Sequence, residues 1–401
     1  MLKAITTVTC LTIVFLYCFL LILTYPYVCW IKYRPSDVLS NFEPSSDALL
    51  VPQFRRICSK NSQINLMPVP SNILFSTRTK FIRLPSKIQI QTKSSYSFPV
   101  SFISLNASFI LSIDFPSDIE PNHFYPELAI DESYQLNITS SHRASLTAQT
   151  YAGIIRGLST FEQLQNEDQL PIPLSIFDRP RFPWRGLMLD VSRHFIPYEI
   201  LLQTVDYMQL VKLNVLHLHL SDDQAFRFQS KEYPNLHDSH QFYTQIQMKN
   251  LVEYARIRAI RVVPEFDVPA HTGSWFVGYP QLASTGKDSY ELIQTWGVHN
   301  ATMDVTREEI YDFLEKFFFE VTQIFPDEYF HIGGDECVPY EWMESEHIRK
   351  FIDENKLVDH QGLQGYFTKR IEKILTKLNR MCFVFFSYSI HYFLFFFVQV
   401  K

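Results

Sequence analysis

Apolar and polar positions change period partway along this chain. From about Ile64 to Gln165, short runs carry apolar side chains at every second position: Lys87–Thr92 (KIQIQT), Ser108–Asp114 (SFILSID) and Ser133–Ile138 (SYQLNI). That alternation predicts half-buried strands. Between Ala148 and Gln165 the spacing becomes helical, with Ile154, Ile155, Leu158 and Phe161 on one face. Strands covered by one helix predict a small α+β domain over residues 61–175.

Beyond Phe177 a proline-punctuated joint, Asp178–Pro183 (DRPRFP), introduces a different texture. Short apolar strands are expected at Gly186–Asp190, Val215–Leu220, Ile260–Glu265 and Tyr329–Ile332. Helices are expected at Tyr198–Lys212, Met248–Arg258 and Gln361–Leu378. Thr306 and Glu309 have capping-box spacing, and Ile310, Phe313, Leu314, Phe317, Val321 and Ile324 form a helical stripe behind them. Buried strands alternating with helices predict a parallel α/β architecture. A (β/α)₈ TIM barrel needs eight such units, and four are legible. The expected fold is therefore α/β: an incomplete (β/α)₈ barrel over residues 176–380, preceded by the small α+β domain. Residues 381–401 break the pattern, because their density of phenylalanine suits neither a soluble helix nor an amphipathic strand. They read as a second membrane segment or, better, as the product of a truncated reading frame.

The ends of the chain add an address. Lys3 precedes an apolar stretch from about Val8 to Leu23, with Lys32 and Arg34 behind it. Its length lies between that of a signal peptide and that of a spanning helix, so residues 1–31 read as a signal anchor or a cleaved signal and residues 32–60 as a linker. Either reading sends the chain into the secretory pathway. Asn106, Asn137 and Asn300 stand in N-x-S/T sequons, as expected of glycosylated positions there. Of six cysteines, Cys10, Cys18 and Cys29 belong to or border the apolar stretch. Cys58, Cys337 and Cys382 remain, too few for a disulfide framework. The net charge of -6, with both signs interspersed, excludes a nucleic-acid partner that needs a concentrated basic face.

Candidate chemistry follows the strands. In a parallel barrel, reactive groups gather beyond the C-terminal ends of the strands. Here Asp190, Arg193 and His194 follow the first strand, and Asp222 and Asp223 the second. Glu265, Asp267 and His271 follow the third, and Gly333, Gly334, Asp335 and Glu336 the fourth. A single such acid is a helix cap or a solvated surface group; polar residues at four successive strand ends are not explained by caps alone. Hydrolysis of a glycosidic bond needs a general acid and a nearby negative charge to stabilise an oxocarbenium-like transition state. Crowding of two adjacent carboxyls favours keeping one protonated, and Glu336 is the candidate acid. Arg193 offers a donor fork for sugar hydroxyls or, in the plainer reading, a surface ion pair. His217 and His219 share one face of a strand. With Asp222 and His271 they invite a zinc reading, but they fit better as core histidines beneath the barrel mouth.

Four segments carry a resemblance: Trp184–His194 (WRGLMLDVSRH), Lys212–Asp223 (KLNVLHLHLSDD), Arg261–His271 (RVVPEFDVPAH) and His331–Glu336 (HIGGDE). In order and spacing they closely resemble glycoside hydrolase family 20, the β-N-acetylhexosaminidases, and the similarity runs from about Ile64 to Leu378. The resemblance implies removal of terminal N-acetylhexosamine from glycoproteins, glycolipids or chitin-type oligosaccharides by substrate-assisted, retaining hydrolysis. Glu336 would be the acid and Asp335 would orient the acetamido group. Arg193 would grip the sugar, and Asp222 with His271 would support the acid. It implies no metal and no organic cofactor, and a homodimer. Leu218, Ala270 and Cys337 depart from the family pattern. The family's later tyrosine and tryptophans have no counterpart after Leu378, so a catalytically inactive, truncated glycan-binding homologue is the alternative reading.

Overall fold

The period-two segments become strands of one six-stranded sheet in the computed structural model, which describes residues 64–92, 98–114, 116, 125–237 and 241–385. The strands are β1 (Asn72–Ile82), β2 (Gln89–Thr92), β3 (Ile110–Asp114), β4 (Tyr134–Ser140), β5 (Arg143–Ala148) and β6 (Leu170–Asp178). Their spatial order is β1-β6-β4-β5-β3-β2. Alternation decides which face is covered: Tyr134, Leu136 and Ile138 of β4 are buried, while Gln135 and Thr139 are exposed. Helix α1 (Tyr151–Leu164) packs on β4 and β5, its first turn capped by the Thr150 hydroxyl accepting from the Gly153 N–H at 3.0 Å. β6 runs through Asp178, so this sheet extends past residue 175.

The second part continues with β7 (Gly186–Asp190), α2 (Tyr198–Leu210), β8 (Val215–Asp222), β9 (Ala225–Phe226), α3 (Gln245–Arg256), β10 (Arg261–Phe266), α4 (Gly273–Gly278) and α5 (Glu308–Thr322). β11 (Tyr329–His331), α6 (Tyr340–Glu344), α7 (Glu346–Glu354), α8 (His360–Lys377) and β12 (Met381–Phe383) complete it. Strands β7, β8, β10, β11 and β12 lie side by side in chain order and are all parallel. Parallel strands that follow chain order without reversal, joined through helices, are the arrangement of a (β/α) barrel; a doubly wound sheet reverses its order. Among the described residues the five strands form an open arc. The stripe on α5 is buried as expected, with Ile310, Phe313, Leu314, Phe317 and Val321 all in the core.

Two local expectations change. Met381–Phe383 does not stand outside the fold but is a fifth parallel strand, with Tyr329, Phe330 and His331 opposite Met381, Cys382 and Phe383. Three apolar residues, Met381, Cys382 and Phe383, have no period to read, and the open edge of β11 gives them their conformation. The capping box at Thr306 and Glu309 does not form: Asp304 captures the Thr306 hydroxyl at 2.6 Å, and α5 begins at Glu308 without a side-chain cap. A capping box opens α3 instead, between Thr244 and Gln247. The apolar N-terminal stretch, the linker, Cys58 and residues 386–401 lie outside the described residues. No described helix is long and apolar enough to cross a membrane.

Charge is sorted by strand polarity. At the N-terminal ends of the barrel strands, the Glu132 carboxylate binds Arg156 and Arg185, each at 2.5 Å, and accepts from the Asn214 amide at 3.1 Å. Arg261 pairs with Asp327 at 2.7 Å, and both are buried. Arg156 also donates to the carbonyls of Arg258 and Ala259, which ties α1 to the barrel part. These ions hold the two sheets together, and the opposite ends of the same strands carry the chemistry.

Candidate active site

Strands β7, β8, β10 and β11 each deliver polar residues to the same mouth. Asp190, at the end of β7, accepts the backbone N–H groups of Ser192 and Arg193, both at 3.0 Å, and so shapes the turn that aims Arg193 inward. The Arg193 guanidinium then spans two carboxylates, Asp190 Oδ2 at 2.9 Å and Asp222 Oδ2 at 2.5 Å. Burial works against its charge, but Asp222 and Asp190 raise its pKa further, so the cation is fixed.

Asp222 closes β8 and is wholly buried. Its Oδ2 also binds His219 Nε2 at 2.7 Å, while its Oδ1 accepts the Asp223 N–H at 2.7 Å and lies 3.4 Å from His271 Nδ1. Burial alone would raise its pKa; the hydrogen bond from His219 and the nearby His271 instead hold it well below the usual carboxylate range. His271 lies 3.4 Å from Asp223 Oδ2 and, through Nε2, 3.3 Å from Glu336 Oε2. Burial disfavours the imidazolium, yet the carboxylates of Asp222 and Asp223, each 3.4 Å from Nδ1, with the charge of Asp267, push its pKa up to about 12. A continuous chain therefore runs Arg193–Asp222–His271–Glu336, ending on a carboxyl whose side chain is 38% exposed at the mouth.

The four-residue turn after β11 sets the acids. Gly333 and Gly334 have φ of +63° and +87°, and Glu336 itself has +48°. A Cβ on Gly333 would fall 2.0 Å from Asp267 Oδ1, so only glycine lets the Asp267 carboxyl lie against the turn and accept the Gly334 N–H at 3.0 Å. Asp267, His271 and Asp335 present ligand atoms within 4.8 Å of one another. Sequence reasoning placed the crowded pair at Asp335 and Glu336. In the structure the carboxyl pushed well up is Asp267, first by burial and then by the charge of Asp335. Asp335 Oδ1 is buried with no hydrogen-bond partner among the described residues.

Beneath the mouth, His217 Nε2 and His219 Nδ1 converge on Glu265 Oε2 at 2.6 and 3.1 Å, and His331 Nδ1 stands 3.3 Å from its Oε1. Burial opposes the Glu265 charge, but His219, His331 and His217 hold its pKa well below the ordinary value. These histidines lie against a buried carboxylate, the supporting role expected of them, and Gly333 N–H donates to His331 Nδ1 at 3.0 Å. Of the strand and strand-end residues noted in the sequence, the site also uses Asp223, Glu265, Asp267 and His219. All four stand in the strand-end motifs, and nothing in their spacing told support from contact.

Trp296 carried no signal in the sequence. Its ring lies 5.6 Å from the Arg193 guanidinium. Nearby, a cavity of about 650 Å³ is lined by Gly273, Lys287, Tyr290, Glu291, Tyr340 and Glu341 among others, from the loops that follow His271 and Glu336. Of the sequons, Asn106 and Asn300 are exposed; Asn137 is half-buried on β4, its side-chain oxygen accepting from Ser175 at 2.7 Å.

Comparison with known proteins matches residues 182–390 to the sequence model of glycosyl hydrolase family 20, catalytic domain, and residues 46–164 to a domain described as beta-acetyl hexosaminidase like. The chain is 36% identical over 281 residues to beta-hexosaminidase subunit beta of Mus musculus, covering 68% of this chain and 51% of that one. It is 35% identical over 286 residues to beta-hexosaminidase subunit A1 of Dictyostelium discoideum, covering 69% and 52%. The chain spans about half the length of the curated relatives it matches. Among solved structures, a chitobiase from Flavobacterium johnsoniae superposes with a TM-score of 0.70 at 32% identity, over 80% of this chain and 52% of that one. A beta-N-acetylhexosaminidase from Bacteroides fragilis gives 0.65 at 26% identity, over 80% and 66%.

Proposed function

The chain belongs to glycosyl hydrolase family 20, and on that premise we propose that it is a β-N-acetylhexosaminidase that removes terminal non-reducing N-acetylhexosamine from glycans. The observation that carries this reading is the chain Arg193–Asp222–His271–Glu336, which joins a sugar-gripping cation to an accessible carboxyl. Substrate-assisted hydrolysis uses each part. The oxygen of the substrate's 2-acetamido group attacks the anomeric carbon as the glycosidic bond breaks, and Glu336 gives its proton to the leaving oxygen. The resulting oxazolinium ion is opened by water, which returns a proton to Glu336, so the configuration is retained.

Asp335 accepts the acetamido N–H and balances the charge that develops on that nitrogen; its buried, unpartnered Oδ1 is the group available for this bond. Burial and the neighbouring Asp335 push the Asp267 carboxyl well above the usual carboxylate range, which favours its neutral form beside the group that faces the acetamido nitrogen. Arg193 holds ring hydroxyls, while Asp222 and His271 orient Glu336. Glycoproteins, glycolipids and chitin-type oligosaccharides are the proposed substrates. The proposed location is the secretory pathway, where Asn106, Asn137 and Asn300 would carry glycans, and the proposed assembly is a homodimer.

The test is release of p-nitrophenol from the β-N-acetylglucosaminide and β-N-acetylgalactosaminide. Turnover with retention by the unaltered chain, reduced at least about hundredfold in Glu336→Gln, is expected, since general acid catalysis contributes roughly 10²–10⁴. Full activity in Glu336→Gln would remove Glu336 from its role. Sugar binding without turnover by the unaltered chain would favour the non-catalytic alternative.

A further inference from the structure

We propose that Trp296 is a carbohydrate-stacking platform that covers one face of the same sugar whose hydroxyls Arg193 binds; the identity of that sugar rests on the function proposed above. Three observations converge. Trp296 is 82% exposed, although an indole is among the most favourable side chains to bury, and it presents an aromatic face to solvent beside the polar cleft. The indole is not adrift, because its ring stands 5.6 Å from the Arg193 guanidinium, a cation–π distance. Its backbone is held as well. The carbonyl of Thr295 accepts from Gln224 Nε2 at 3.0 Å, which ties the loop to the end of β8 just beyond Asp223, and His299 Nε2 lies 3.1 Å from the same carbonyl. The following Gly297 has φ of +138°, a conformation other residues rarely adopt, so the chain turns immediately after the indole and leaves the ring standing at the mouth.

The chemistry of a pyranose fits this pair. One edge of the ring carries hydroxyls, which suit the guanidinium fork, and its faces carry C–H groups, which suit an aromatic surface. An arginine and an indole meeting at one point can therefore grip edge and face of a single sugar. Trp296 would contribute to binding in the ground state and in the transition state alike, so its loss should raise KM and leave kcat nearly unchanged.

The test is titration of N-acetylglucosamine, N-acetylgalactosamine and glucose into the full chain, followed by calorimetry and by tryptophan fluorescence, with Trp296→Leu and Trp296→Phe in parallel. We expect N-acetylglucosamine to shift the emission of the unaltered chain. Trp296→Leu should weaken Kd roughly tenfold, and Trp296→Phe, which keeps an aromatic face, should weaken it by roughly threefold at most, since aromatic contacts are worth about 0.5–1.5 kcal/mol beyond their area. Equal Kd in Trp296→Leu and the unaltered chain overturns the platform and leaves the hexosaminidase reading intact. Trp296-dependent binding of glucose without preference for the N-acetyl sugars supports the platform and counts against that reading. Absence of binding by every sugar overturns both.

Discussion

Gly333→Ala would test whether the turn after β11 is built by the close approach of Asp267. The added methyl would fall 2.0 Å from Asp267 Oδ1 and 2.1 Å from its Cγ, at a residue with φ of +63°. Left-handed backbone costs about 1–2 kcal/mol for a residue with a Cβ. Forcing the carboxyl aside adds about 1–3 kcal/mol of overpacking, and the Gly334 N–H loses a hydrogen bond worth about 1 kcal/mol. The expected destabilisation is thus about 4 kcal/mol. Gly286→Ala is the matched control, since Gly286 has the same φ of +63° but nothing within 4 Å of its virtual Cβ. It should lose only the backbone part, about 1–2 kcal/mol. With a urea m-value of about 3 kcal/mol/M, the midpoint should fall by about 1.3 M in Gly333→Ala and by roughly 0.3–0.7 M in the control. Because the same turn sets Asp335 and Glu336, kcat/KM toward an N-acetylglucosaminide should drop about hundredfold in Gly333→Ala and stay level in Gly286→Ala, as small misplacements of reacting groups cost about that much. Equal midpoints for the two variants would refute the claim that Asp267 packs against the turn.

Two further outcomes follow from the charge map. Glu132→Gln leaves Arg156 and Arg185 without their shared carboxylate, and should lower unfolding free energy by about 3–5 kcal/mol in urea titrations. Asp168→Asn, which removes the exposed partner of Arg83 at 3.8 Å, should change it by less than about 1 kcal/mol, and equal losses would show that burial of the ion pair is irrelevant. His271 is pushed up from its ordinary value of 6.5 to about 12 in the folded chain, so it binds its proton more tightly folded than unfolded. Its stabilising contribution is complete below about pH 6.5 and is lost as pH rises toward 12. Unfolding free energy between pH 7 and 10 should therefore fall more steeply in the unaltered chain than in His271→Gln; parallel slopes would show that His271 is not an imidazolium held by Asp222 and Asp223.

Local order was readable where a residue's neighbours in sequence are also its neighbours in space. The strands ending at Asp190, Asp222, Phe266 and His331 announced themselves as short apolar runs, and the α5 stripe from Ile310 to Val321 through its helical period. The four polar clusters were legible because a parallel strand must release its chain at the C-terminal end, and those residues follow directly. Tertiary structure decided the rest, through partners distant in the chain. Asp304 took the hydroxyl that Thr306 would have used as a cap, and the free edge of β11 turned a short aperiodic apolar segment at Met381–Phe383 into a strand. Asp267 lies against Gly333, 66 residues on, and its carboxyl is pushed up by burial and by the charge of Asp335, contacts that no local pattern announces. Trp296 gained its place beside Arg193 in the same way, through a loop anchored at Gln224 that no pattern of hydrophobic positions encodes. Periodicity reports which face of an element is buried; which charges meet at the end of that element depends on distances that only packing sets.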